Sequence, residues 1–395
     1  MKTVYFDNNA TTQVAPEVRE AMLPFFGELY GNPSSMHAFG GEIAKHVDRA
    51  REEVARFLNC DPDEVIFTSC ASESDNSAIR GTADYFGKGL KVITTAVEHP
   101  AVLQPCRRLK ALGHDVVELP VDSLGQINLD QLKAELAKSS APPKLVSIMY
   151  ANNETGVLFP IEKIAEICRE HGAIFHTDAV QVAGKIPVDV KRLPVDMLSM
   201  SGHKFHAPKG IGIFYVRKGT KLKPFLLGGH QERSRRAGTE NVPYIVGLAK
   251  ACELARLGMA EEAVKLSALR DKLEAGILAS CPNVRVNGDR AHRLPNTLNV
   301  SFEYVEGEAI AYHLSDLGIC ISTGSACASG SLDPSHVIRA MGVPFTAVHG
   351  SVRFSLSRYN TEEEVDYVLE KLPPVIRNLR DLSPFGPGQD VTTFK

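Results

Sequence analysis

Six short apolar runs mark the middle of the chain: VIFTS (65–69), VITTA (92–96), LVSIMY (145–150), AIFHTD (173–178), MLSMS (197–201) and GIFYV (212–216). Most are continuous rather than alternating, the pattern of strands covered on both faces. Between several of them the period changes to helical. EIAKHVDRAREEVARFL (42–58) sets Ile43, Val47, Val54 and Leu58 on one face, and IEKIAEICREHG (161–172) closes on Gly172, a suitable C-cap. Strand–helix alternation on this scale predicts an α/β fold with a large, doubly wound, mainly parallel sheet. A long helical pattern then runs from Pro243 to about Ala279 and bridges to a second unit. That unit holds TLNVSF (297–302), a helix, the segment TGSACASGS (323–331), VRFSLS (352–357) and a last helix from near Thr361. The expected organisation is a large domain over 15–260 and a smaller α/β domain made from 1–14 and 261–395.

Composition narrows the function classes. Of 395 residues, 44% are apolar and 23% charged, the balance of a globular chain with a sizeable core. A net charge of −3 recommends neither nucleic acid nor a membrane surface as partner. No apolar run approaches 18 residues, so no membrane span is expected. MKTVYFDNNATT lacks an apolar signal core, and the expected location is cytoplasmic. The eight cysteines, at 60, 70, 106, 168, 252, 281, 320 and 327, form no CxxC pair. That argues against a disulfide framework and a structural zinc site, and for reduced thiols.

Ligands of open α/β sheets sit beyond the carboxyl ends of the strands. The residues that follow each predicted strand are therefore the candidates. SGHK (201–204) places Lys204 at a strand tip, where a lysine can form a Schiff base with a carbonyl cofactor such as pyridoxal 5′-phosphate. Asp178, ending FHTD, can pair with the ring nitrogen of that cofactor, or simply cap a helix starting at Ala179. Gln181 lies three residues on and can donate to the ring phenolate. TSCASESDN (68–76) passes from strand to helix through small residues, and a helix N-terminus there can hold a phosphate with help from Ser72. The plainer alternative is a capping box in which Ser72 is the cap and Asp75 its acidic partner. His99 can stack on a ring and move protons. Arg353, among apolar residues in VRFSLS, needs a carboxylate partner, from protein or substrate.

Together these motifs resemble the pyridoxal-phosphate-dependent cysteine desulfurases, of the class-V aminotransferase family within fold-type-I enzymes, and most of all their nitrogen-fixation (NifS-like) branch. The resemblance extends from YFDNNATT (5–12) through GNPSSMH (31–37), FTSCASESD (67–75), VEHPAV (97–102), ANNETG (151–156), HTDAVQ (176–181) and SGHKFHAPKG (201–210). It continues over GGHQERSRRAGTEN (228–241), GSACASGSLDPSHVIRAMG (324–342) and VRFSLSRY (352–359). It implies the aminotransferase-like fold, with Lys204 as the Schiff-base lysine, Asp178 on the ring nitrogen, Gln181 on the phenolate and His99 as stacking acid/base. Ala71, Ser72, Ser201, Gly202 and His203 would hold the phosphate. Thr239 would reach the phosphate of a partner subunit, which implies a homodimer. Asn153 would serve cofactor and substrate, and Arg353 the substrate carboxylate. One departure is the turn SCASE, with Cys70 and Ser72 where glycine and threonine are common in the family; serine keeps the hydroxyl, and Cys70 reads as structural.

The resemblance also accounts for TGSACASGS, which sets Cys327 among eight small residues. It makes Cys327 the nucleophile that takes sulfur from L-cysteine as a persulfide and leaves L-alanine. Gly324 and Gly330 free the backbone that must carry the thiol away. An iron–sulfur scaffold protein is the expected sulfur acceptor, in the service of nitrogenase maturation, and Cys327 could share a cluster transiently with it as a metal ligand. A selenocysteine lyase or an aminotransferase on the same fold would leave that loop idle. A non-catalytic relative would have lost one of Lys204, Asp178, His99 or Cys327.

Overall fold

The computed structural model describes residues 3–138, 143–323, 333–384 and 386. Near the N-terminus β1 (Val4–Tyr5) leads into the chain. The large sheet follows, built from β2 (Val65–Thr68), β3 (Lys91–Thr95), β4 (Asp115–Leu119), β5 (Lys144–Ser147), β6 (Ile174–Asp178), β7 (Met197–Ser201) and β8 (Gly212–Val216). Their order is β2-β8-β7-β6-β5-β3-β4. The pairings among β4, β3, β5, β6 and β7 are all parallel, whereas β8 runs antiparallel to both β7 and β2. The short connection 202–211 explains the reversal, because a parallel neighbour needs a longer crossover. Five of these strands are buried along their whole length, which is why they read as continuous apolar runs. The sequence reading omitted β4, a sheet edge whose DVVEL mixes exposed Asp115 and half-buried Glu118 with buried Val116 and Leu119.

The smaller sheet has the order β12-β13-β10-β9, from β9 (Val284–Val286), β10 (Thr297–Phe302), β12 (Ser322–Thr323) and β13 (Ser351–Ser355), antiparallel throughout. A further strand, β11 (Ile319–Cys320), pairs in parallel with β1 and so ties the N-terminal segment here. Three apolar cores result, two on the large sheet and one on the small. Helix Val242–Ser280 belongs to two of them: Ile245, Leu248, Cys252 and Ala255 pack in one core of the large sheet, and Leu266, Leu269, Leu273 and Ile277 in that of the small one. The helix predicted over 42–58 begins earlier, at Ala38, where the His37 imidazole caps Gly40 N–H, and it ends on left-handed Asn59. Among the described residues no helix is long and apolar enough to cross a membrane.

Candidate active site

The carboxyl ends of β2, β3, β5, β6 and β7 face one cavity of about 500 Å³. Ala71, Ser72, His99, Asn153, Asp178, Gln181, Ser201, His203, Lys204 and Arg353 all line it. Gly202 is buried just behind, where a Cβ would come within 2.9 Å of Ala207 and Ile211. Thr239 is exposed on its loop and does not line this cavity. Cys327 lies outside the described residues, as do Gly324 and Gly330. The segment that follows them, Asp333 to His336, forms part of the cavity wall.

Lys204 ends the single turn Gly202–Lys204 directly after β7. Its Nζ donates to the carbonyls of Asn9 (2.6 Å) and Ala10 (2.8 Å). Those acceptors come from the DNNATT segment, which is held by a dense set of contacts. Asn9 N–H donates to Ser355 Oγ, and its side chain donates to Thr297 Oγ1 and accepts from Asn296. The sequence reading gave this segment no role; the only signal was its presence among the family motifs.

Asp178 is buried, and its Oδ1 accepts from Val180 N–H at 2.9 Å. Burial raises its pKa to about 6, against the Val180 hydrogen bond and the charge of Lys204, which both favour the anion. No helix starts at Ala179: residues 180–185 form turns, so the carboxylate orders a turn rather than capping a helix. Gln181 donates to Asn9 O through Nε2, and its Oε1 is buried without a partner.

At the other wall, helix Ala71–Phe86 starts from Cys70, which supplies no side-chain cap. The expected capping box is absent. Ser72 lies inside the first turn, Glu73 reaches back to Ser69 N–H at 2.8 Å, and Asp75 is buried with no partner for either oxygen. An uncapped helix start beside Ser72, Ser201 and His203 is a cradle for a phosphate.

His99 caps helix Pro100–Ala111, its Nδ1 accepting from Ala101 N–H at 3.1 Å. Burial, then the charges of Lys204 and His336, push its pKa down to about 4. His99 is therefore neutral near pH 7. With Nδ1 engaged as an acceptor, the proton sits on Nε2. His336 has the same tautomer when neutral, since its Nε2–H donates to the Glu98 carbonyl at 3.0 Å. Neither Glu98 nor His336 was singled out from sequence.

Arg353 occupies the middle of the small sheet, opposite Asn299 and Ser322. Its guanidinium donates to Asn153 O at 2.9 Å and to Asp7 Oδ1 at 2.8 Å, and its Nε is buried with no partner. Asp7 is the protein carboxylate that sequence alone left unnamed.

A strand-tip lysine, a buried carboxylate and an anion cradle around one cavity define the site of a pyridoxal-phosphate enzyme: the carbonyl, the ring nitrogen and the phosphate of that cofactor each have a complementary group. Comparison with known proteins agrees. Residues 4–368 match the class-V aminotransferases. The chain is 56% identical to a cysteine desulfurase of a Nostoc species, over 98% of this chain and 96% of the relative. It is 53% identical to the cysteine desulfurase NifS of Azotobacter vinelandii, again over 98% and 96%. A solved NifS-like protein superposes with a TM-score of 0.90 at 43% identity, covering 96% of this chain and all of that one. The chain belongs to the class-V aminotransferase family, and its cofactor is pyridoxal 5′-phosphate. Among the described residues no three His, Cys, Asp or Glu side chains converge on a metal site.

Proposed function

We propose that the chain is a cysteine desulfurase that converts L-cysteine to L-alanine and keeps the sulfur as a persulfide on Cys327. The observation that carries this is the meeting of Lys204, Asp178, His99 and Arg353 in one cavity, whose wall includes Asp333 to His336, shortly after Cys327 in the sequence. When bound, pyridoxal phosphate supplies an electron sink for the substrate α-carbon. Asp178 holds the ring nitrogen, Gln181 the phenolate side, and Ala71, Ser72, Ser201 and His203 the phosphate. Arg353 and Asn153 orient the substrate carboxylate. Lys204 moves the α-proton, and His99, with Nε2–H toward the cavity, delivers protons. The Cys327 thiolate attacks the substrate sulfur: an S–S bond forms, the C–S bond breaks, and the released carbon becomes the methyl group of alanine.

The finer reading is that the persulfide supplies iron–sulfur cluster assembly through a scaffold protein, for nitrogenase maturation. Its support is the likeness to NifS of Azotobacter vinelandii. Thr239, exposed on its loop, suits a role on the phosphate of a second protomer in a homodimer. Alanine formed from L-cysteine under a reductant, in wild type and Cys327→Ala, tests the central claim. Wild type is expected to make alanine and the variant not. Equal rates in both would remove Cys327 from the chemistry.

A further inference from the structure

One ion pair stands beside the phosphate cradle and has no part in the steps above. Glu73 follows Ser72 in the first turn of helix Ala71–Phe86, and its side chain is 8% exposed, so solvent screens its charge weakly. The carboxylate turns back over the junction of strand and helix: Oε2 accepts from Ser69 N–H at 2.8 Å. Arg236 closes on the same group from a distant loop, Nε donating to Oε1 at 2.8 Å and Nη2 to Oε2 at 3.2 Å. Such a two-point contact fixes the guanidinium as well as cancelling the charge. Burial opposes the Glu73 anion, but the hydrogen bonds from Arg236 and Ser69 outweigh it and hold its pKa below the usual carboxylate value. Glu73 is therefore ionised at neutral pH. Cys70, Ala71 and Ser72, the residues just before it, line the cofactor cavity. A bare carboxylate at this place would compete with a bound phosphate for the positive end of the helix and would repel it directly.

We propose that Arg236 neutralises Glu73 so that the turn Ser69–Ser72 can take a doubly charged phosphate. The inference rests on the reading that Ala71 and Ser72 hold that phosphate. Glu73 orders, through Ser69 N–H, a turn that Cys70 leaves uncapped, and Arg236 removes the charge that this bond brings with it. Arg236 is thus a positioning residue: it acts on the cofactor through Glu73.

The test compares the pyridoxal 5′-phosphate dissociation constants of wild type, Arg236→Gln, Glu73→Gln and the double variant. Each protein, freed of cofactor, is titrated and followed by cofactor absorbance, with thermal midpoints measured alongside. Arg236→Gln strands the carboxylate and should raise the constant by about 10-fold or more. Glu73→Gln should stay within about 3-fold of wild type, and adding it to Arg236→Gln should bring the constant back to within about 3-fold. Pyridoxal, which lacks the phosphate, should bind wild type and Arg236→Gln alike. An Arg236→Gln constant within about 2-fold of wild type, a double variant as weak as Arg236→Gln, or an equal loss for pyridoxal overturns the proposal. The second of these would mean that Arg236 only anchors the loop that carries Thr239. Should Arg236→Gln not fold, Arg236→Lys decides: it keeps the charge and gives up the two-point contact, so its constant should stay within about 3-fold of wild type, and a loss of about 10-fold overturns the proposal equally. If Ser72→Ala binds the cofactor as tightly as wild type, the reading of the cradle fails instead, and that result does not depend on Arg236.

Discussion

Arg353→Lys isolates the substrate-carboxylate contact. In the present structure the guanidinium already donates to the Asn153 carbonyl and to Asp7 Oδ1, and one buried N–H, at Nε, has no partner. An incoming carboxylate can use what remains of that planar fork without breaking the two existing bonds. Lysine keeps the charge but gathers its three donors on one nitrogen. It cannot serve the carbonyl, Asp7 and a bidentate carboxylate together. Losing one charge-assisted hydrogen bond costs about 1.5–3 kcal/mol, or about 10- to 150-fold in kcat/KM. Carboxylate binding is common to ground and transition states, so the loss should fall on KM with kcat little changed. The assay is alanine formation against L-cysteine concentration. Cofactor absorbance and the thermal midpoint, measured alongside, separate lost recognition from damage to β13. A KM within about 2-fold of wild type would refute the assignment of Arg353 to the substrate.

His99→Phe keeps an aromatic ring but removes Nε2–H; alanine formation should fall by about 10²- to 10⁴-fold, and an unchanged rate would exclude His99 as proton donor. Glu232→Gln breaks the buried pair in which Arg51 meets both carboxylate oxygens, at 2.8 and 2.7 Å, and should cost about 3–5 kcal/mol of stability by urea denaturation, since it strands a buried guanidinium. Its effect should also reach the chain around it, where Glu232, Arg233 and Ser234 hold left-handed φ of 47°, 56° and 62°. Burial raises the Glu98 pKa to about 8, against hydrogen bonds from Thr95 and Met149 N–H, so the folded state binds the extra proton between about pH 4.5 and 8 and loses stability as pH rises through that window. Glu98→Gln should therefore gain on wild type by up to about 1.4 kcal/mol per pH unit from pH 5 to 8; a constant difference across denaturation curves at pH 5, 6.5 and 8 would contradict it.

The groups that were legible in the sequence are those whose position depends on one element alone. Asp178, Lys204 and His99 each sit at the end of a short apolar run, and a run of that length has only one place to end. β7 and β8 were readable residue by residue for the same reason, because both faces are buried. Direction was not readable. The reversal of β8 is set by the length of its connection to β7, which no hydrophobic pattern encodes. Nor were partners far apart in the chain: Arg353 meets Asp7 across 346 positions, and Lys204 meets Asn9 across 195. DNNATT has neither helical nor strand period, so it offers nothing to place it until two cores have closed around it. Asp75 shows the opposite failure. The local grammar of a helix start, a hydroxyl followed three residues later by an acid, was present, and it implied a solvent-facing cap. The helix begins against the sheet rather than at the surface, so the position that grammar assigns to water is 1% exposed. A carboxyl in that place cannot be explained by the stability of its own helix. Its surroundings come from the sheet instead, where His176 of β6 brings Nε2 to 3.6 Å from its Oδ1, a meeting that no single stretch of the chain specifies.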